Sequence, residues 1–249
     1  EEIPARFKAL ALVAPKDTIP PVHLQKLDTY LAKGGKLLIA LNKVDGNLQT
    51  AQGLSVNTGV SDWLRGKGVV VENKFVTDAN CAAVTVQPQQ GSFRFQSRVQ
   101  FPYLPILTNF ADHPVTKGLE QVVLPFASPL TFAGDTSINY TPIAFSSEQS
   151  GTATVPTYFN IQQQWTDADF PMSSQTVGAA IEGNLVGNTA SKLVVIGDGD
   201  FAINSKDGGQ PQPVQEDNVS LFVNGIDWLS DDTGLIDLRT KGISSRPID

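Results

Sequence analysis

Three unbroken apolar runs of strand length limit what this chain can become. Ala9 to Ala14 reads A-L-A-L-V-A, Leu37 to Leu41 reads L-L-I-A-L, and Lys192 to Ile196 reads K-L-V-V-I. A strand with one wet face alternates apolar and polar residues. A run without alternation belongs to a strand covered on both faces. Between the first two runs, Pro20 and Pro21 suit the first turn of a helix, and Leu24, Leu27 and Leu31 recur at helical spacing before Gly34-Gly35 ends the element. Val60, Trp63 and Leu64 mark a second helix, closed by Gly66 and Gly68, and Val69-Val70-Val71 opens another strand. This alternation predicts a three-layer α/β fold with a mainly parallel sheet, flavodoxin-like or glutamine-amidotransferase-like.

The pattern returns late in the chain. Gly178 to Ile181 and Lys192 to Ile196 read as strands, and Val219, Phe222, Val223, Ile226 and Leu229 form a helical stripe. Leu235-Ile236-Asp237-Leu238 reads as a last, edge strand before a loop-like Ser244-Ser245-Arg246-Pro247 tail. Between these blocks the texture differs. From Cys81 to Trp165 only seven residues are charged, and Pro102, Pro105, Pro114, Pro125 and Pro129 exclude long helices. Short alternating stretches such as Ser92-Phe93-Arg94-Phe95-Gln96 predict hairpins. The organisation expected is one domain over residues 1–249: an α/β core from 1–80 and 177–249, with a β-rich insertion over 81–176.

Composition excludes several functions. The net charge of −7 and sequence pI near 4.8 argue against nucleic acid or an anionic membrane surface as the main partner. One cysteine, Cys81, allows no internal disulfide, and with only His23 and His113 beside it a structural zinc site is not expected. No cofactor motif is present: no P-loop, no G-x-S-x-G and no H-E-x-x-H. No stretch reaches the ~18–20 apolar residues of a membrane span. The start Glu1-Glu2-Ile3-Pro4 lacks the basic and apolar regions of a signal peptide, and the chain reads as a fragment whose anchor or targeting segments lie outside it.

The best local candidate for chemistry is Gly197-Asp198-Gly199-Asp200-Phe201, directly after a buried strand. Ligands of open α/β sheets bind at the carboxyl ends of strands. Two carboxylates flanked by glycines could hold a divalent cation. They could equally serve a tight turn, with glycine supplying positive φ and aspartate accepting turn amides, which would lower the carboxyl pKa. Lys16 and Asn42 follow the other two apolar runs and join Asp198 and Asp200 as candidate ligand-binding residues. Cys81, in Ala79-Asn80-Cys81-Ala82-Ala83-Val84, lacks elbow glycines and a nearby base, so it reads as a packed thiol and not as a nucleophile. Asp112 is a candidate cap for a turn after His113, and Trp63, Trp165 and Trp228 read as packing residues.

Several segments together resemble one family. They are Leu12-Val13-Ala14-Pro15-Lys16, Leu27-Asp28-Thr29-Tyr30-Leu31 with Gly34-Gly35-Lys36-Leu37-Leu38, His113-Pro114-Val115-Thr116-Lys117-Gly118-Leu119 and Val195-Ile196-Gly197-Asp198-Gly199-Asp200-Phe201. The strongest lie near the end: Asp217-Asn218, Asn224-Gly225-Ile226-Asp227-Trp228-Leu229, Gly234-Leu235-Ile236, Leu238-Arg239 and Arg246-Pro247. This ensemble resembles the GldG-like auxiliary component of ABC transporters, an uncharacterised transport-system family that includes a gliding-motility protein. The resemblance implies a periplasmic or extracytoplasmic domain, anchored to the cytoplasmic membrane in the full-length protein. It implies an amidotransferase-like fold without the catalytic cysteine, and partners among the permease and ATPase subunits of a transporter. Self-association is also open. The function expected is a non-enzymatic binding or scaffold domain. The alternative is a ligand-binding or hydrolase-like domain using the strand ends near Asp198 and Asp200.

Overall fold

The computed structural model describes residues 2–231 apart from 5, 87–88, 91–92, 95–96 and 208–209. The strand expected at Leu235 to Leu238 and the Arg246-Pro247 tail lie outside them. A six-stranded sheet organises the molecule. Its strands are β1 (Leu10–Val13), β2 (Lys36–Ala40), β3 (Asn109–Phe110), β4 (Asn139–Phe145), β5 (Thr176–Gly183) and β6 (Ser191–Ile196), in the order β1-β2-β6-β5-β4-β3. The helices are α1 (Pro21–Ala32), α2 (Val60–Arg65) and α3 (Glu216–Ser230).

Both faces of this sheet are covered, which is why its strands do not alternate. Successive residues of a strand point to opposite faces. Leu37, Ile39, Leu193 and Val195 pack with Leu31 of α1 and with Val60 and Leu64 of α2. Leu38, Ala40, Val194 and Ile196 pack with Leu221, Trp228 and Leu229 of α3. Each such leucine or isoleucine contributes about 1.5–3 kcal/mol by leaving water. Helices α1 and α2 are also tied together by a polar knot. The nearly buried Lys67 ammonium lies 2.8 Å from Asp28 Oδ1 and 3.8 Å over the Trp63 ring, and the Trp63 indole N–H donates to the same oxygen at 2.9 Å.

The expected three-layer, mainly parallel α/β fold is not what forms. Only β1–β2 and β2–β6 pair in parallel. Every other strand pairing among the described residues is antiparallel. The chain is mostly strands in several small, mainly antiparallel sheets, against helices of 12, 6 and 15 residues. Val69–Val71, expected in the main sheet, pairs instead with Leu130–Phe132. The physical reason is that an unbroken apolar run reports coverage, not direction. β5 is buried from Val177 to Ile181 as β6 is from Leu193 to Ile196, yet the two run antiparallel.

A third core sits apart from the main sheet and is aromatic. Phe75 is fully buried, with Tyr103, Phe126 and Phe159 edge-on around it at centroid distances of 5.5, 5.9 and 5.8 Å. Its rings come from the Lys74–Asp78 and Ser97–Leu107 strands and from two loops.

Candidate functional site at the parallel strand ends

Because Val13, Ala40 and Ile196 lie in register, β1, β2 and β6 end at one edge. The ladder closes with Ala14 N–H on Ala40 O and Leu41 N–H on Ile196 O. Lys16, Asn42, Asp198 and Asp200 therefore leave their strands at the same edge of the sheet.

Three of the four engage one another. Asn42 Oδ1 accepts the Gly199 N–H at 2.6 Å, and Asn42 Nδ2 donates to Asp200 Oδ2 at 2.7 Å. The Asp200 N–H donates to Asp198 Oδ1 at 2.8 Å. Lys16 is exposed and stays outside this set of bonds, although its charge reaches Asp45. Glycine is needed here for space. A Cβ on Gly197 would lie 2.2 Å from the Ser128 carbonyl oxygen, and one on Gly199 would lie 2.8 Å from Ala14 Cα. Gly199 has φ −92°, so the left-handed turn expected from the sequence is not its reason.

Asp198 is wholly buried, and its Oδ2 has no hydrogen-bond partner. Burial pushes its carboxyl well above the usual range. The N–H groups of Asp200 and Phe201 act the other way, while the charges of Asp200 and Asp45 add to the rise. The lowered pKa expected of a turn carboxylate is thus reversed, because loss of solvation outweighs two amide bonds. Asp45, on the strand Val44–Asn47, keeps solvent contact. Partial burial first, then Asp200, still raise its carboxyl against the Gly46 N–H and Lys16. Its only sequence signal was its place three residues after Asn42. No three His, Cys, Asp or Glu side chains converge to hold a metal ion among the described residues.

Elsewhere, the Cys81 thiol is pushed up to about 11, mainly by burial. It sits in the strand Cys81–Val86 and is protonated at neutral pH. His113, not Asp112, caps the turn that follows it: its Nδ1 accepts the Val115 N–H at 3.2 Å. Asp78 is a buried carboxylate that sequence reading missed. It accepts from Ser147 N–H, Ser147 Oγ–H and Asn80 N–H at 2.6–2.8 Å.

A family model described as an ABC-type uncharacterized transport system matches residues 1–231. The chain belongs to this family. No curated protein matches it. Among solved structures, the mmIFT52 N-terminal domain is similar over 90% of this chain and 78% of its own, with a TM-score of 0.53 and 16% identity. At that identity the likeness is one of fold. As an ABC transport auxiliary domain, the chain uses two residues of its family-like ending to dock α3. Asn218 Oδ1 accepts the Val123 N–H, and Nδ2 donates to the carbonyls of Val123 and Phe201, at 2.7–3.0 Å. Asp217 Oδ2 accepts the N–H groups of Glu120 and Gln121. Asn218 thus anchors Phe201, next to Asp200, from behind.

Proposed function

We propose that the chain is a non-enzymatic binding or scaffold domain of a membrane-anchored auxiliary protein of an ABC transporter. We place it at the extracytoplasmic face of the cytoplasmic membrane, with a role in gliding motility as the finer part of the same reading. One observation carries it: three of the four polar residues at the parallel strand ends, Asn42, Asp198 and Asp200, bond to one another, and the partnerless Asp198 Oδ2 is enclosed. A catalytic site keeps its donors and acceptors aimed at a reacting partner. Here Asn42, Gly199 and Asp200 form a closed set, and Asp198 is out of solvent's reach. Family membership supplies the transport context.

The test uses the full-length protein in cells. Tyr158 is 77% exposed, so Tyr158→Cys offers a thiol to a membrane-impermeant maleimide, while Cys81 stays buried. Labelling of this variant in intact cells, together with co-purification of transporter membrane subunits, is the expected result. Labelling only after lysis, or no transporter subunit recovered, would sink the reading.

A second reading, a ligand-binding or hydrolase-like site at Lys16, Asn42, Asp198 and Asp200, is favoured by the partnerless Asp198 Oδ2 and by the mutual repulsion of Asp198, Asp200 and Asp45. A cationic group would relieve both. Calorimetry with Mg²⁺ and Ca²⁺ on the wild type and Asp200→Asn decides. The scaffold reading expects no heat from either protein.

A further inference from the structure

The main sheet stops at β1, and its outer side carries no strand among the described residues. The Ala14 N–H bonds to Ala40, so by the two-residue alternation Leu12 and Leu10 also face β2. The backbone groups of Ala11 and Val13 then point away from the sheet. Natural proteins usually guard such an edge with a lysine, a proline or a bulge within the strand. Here the strand reads Leu-Ala-Leu-Val, and Ala11 is exposed.

Beside this edge runs a groove of about 550 Å³ between β1, the following loop and α1. Leu12, Ile19 and Leu27 give it an apolar floor. Its charged rim is Lys16, Lys26 and Asp17, with His23 alongside. That rim stands out against the rest of the molecule. Residues 1–40 hold six Lys and Arg and four Asp and Glu, a net +2, whereas the whole chain is −7 and the remainder therefore −9. Of those six cations, Lys16 and Lys26 line the groove, against Asp17, so the rim is locally +1 beside an acidic remainder.

We propose that the β1 edge and its groove bind an extended, acidic peptide segment of a partner protein, which joins the sheet as an added strand. Backbone bonds to Ala11 and Val13 would supply affinity. Alternate apolar side chains would enter the groove, and carboxylates would meet Lys16 and Lys26. A second copy of this chain fits less well. Self-pairing along this edge would bring the Lys16 and Lys26 rims of two copies to the same seam, and opposed like charges are destabilising. The proposal deepens the scaffold reading by naming what the scaffold holds.

The experiment titrates the protein with a short synthetic peptide of alternating Val and Thr carrying two Asp at each end, and with its Lys-ended counterpart. Binding is read by fluorescence anisotropy and by hydrogen exchange at individual amides. The expected result is preference for the Asp-ended peptide, with the Ala11 and Val13 amides protected on binding. Ala11→Pro removes an outward N–H that the β2 ladder does not use, and should weaken binding about tenfold or more, equivalent to about 1.4 kcal/mol. Lys16→Glu with Lys26→Glu should reverse the preference between the two peptides. This pair of changes, at the exposed Lys16 and the half-buried Lys26, decides the matter if Ala11→Pro fails to fold. Equal binding of both peptides, or no protection at Ala11 and Val13, would overturn the proposal. So would concentration-dependent dimerisation abolished by Ala11→Pro, which would give the edge to a second copy. If the peptides ignore β1 while transporter subunits still co-purify with the full-length protein, this inference falls and the scaffold reading stands.

Discussion

Asp198 is the residue whose chemistry is most displaced by the fold. Its ordinary pKa of 3.8 applies to the unfolded chain, and burial holds the folded value well above it. The linkage follows directly: a group with a raised folded pKa stabilises the fold fully below 3.8, and that contribution is lost as pH rises through the folded value. Asp198→Asn keeps an oxygen for the Asp200 N–H and removes the ionisation. Its melting temperature relative to wild type should therefore climb as pH rises above about 4. A difference that stays flat with pH, in paired thermal melts, would reject this. Beside it, Gly197→Ala meets a backbone oxygen at 2.2 Å, not a movable side chain. Urea denaturation should show a loss of about 1–3 kcal/mol, as overpacking against fixed atoms does.

At the scale of elements, α3 is held by one side chain more than by its own caps. No side-chain cap closes its N-terminus, whereas Asn218 reaches two other segments through three bonds. Asn218→Ala would leave the part-buried Val123 groups and the buried Phe201 carbonyl unpaired. The expected cost is about 2–3 kcal/mol by urea denaturation, against under about 1 kcal/mol for a break at the half-buried Asp217, whose bonds face solvent. Elements of this kind differ in how far they could be read from sequence. α1 and α3 were legible because their apolar residues recur at helical spacing, and β2 and β6 because their apolar runs are unbroken over strand length. The shared edge of Asn42, Asp198 and Asp200 was legible in part: two recognisable runs must end somewhere, and parallel register made it one edge. The direction of β5 was not legible, since both faces of an antiparallel strand can be buried. Nor was the pairing of Val69–Val71 with Leu130–Phe132, because a three-residue run carries no partner information. Asp78 was hidden because its meaning depends on Ser147, far along the chain.

At the scale of the molecule, three cores among the described residues share the work of stability. Two flank the main sheet, and the third is the aromatic group around Phe75. The third had no sequence signature, since Phe75, Phe101, Tyr103, Phe126 and Phe159 recur at no period. Phe75 touches most of the other rings, so Phe75→Ala should cost about 3–5 kcal/mol. Near-UV circular dichroism should lose the tyrosine signal of Tyr103 as that core loosens. An unchanged spectrum and denaturation midpoint would mean that the aromatic group is peripheral to folding.

The buried thiol of Cys81 has a consequence in redox chemistry. Disulfide exchange and peroxide attack both proceed through the thiolate. With a pKa of about 11 in place of 9.0, the thiolate fraction falls roughly a hundredfold, to about one in ten thousand at pH 7. Ellman's reagent should accordingly react with the folded protein at least about a hundred times more slowly than with the chain in denaturant. The domain's one thiol is therefore slow to exchange: an oxidising compartment meets a sulfur held almost wholly in its unreactive form.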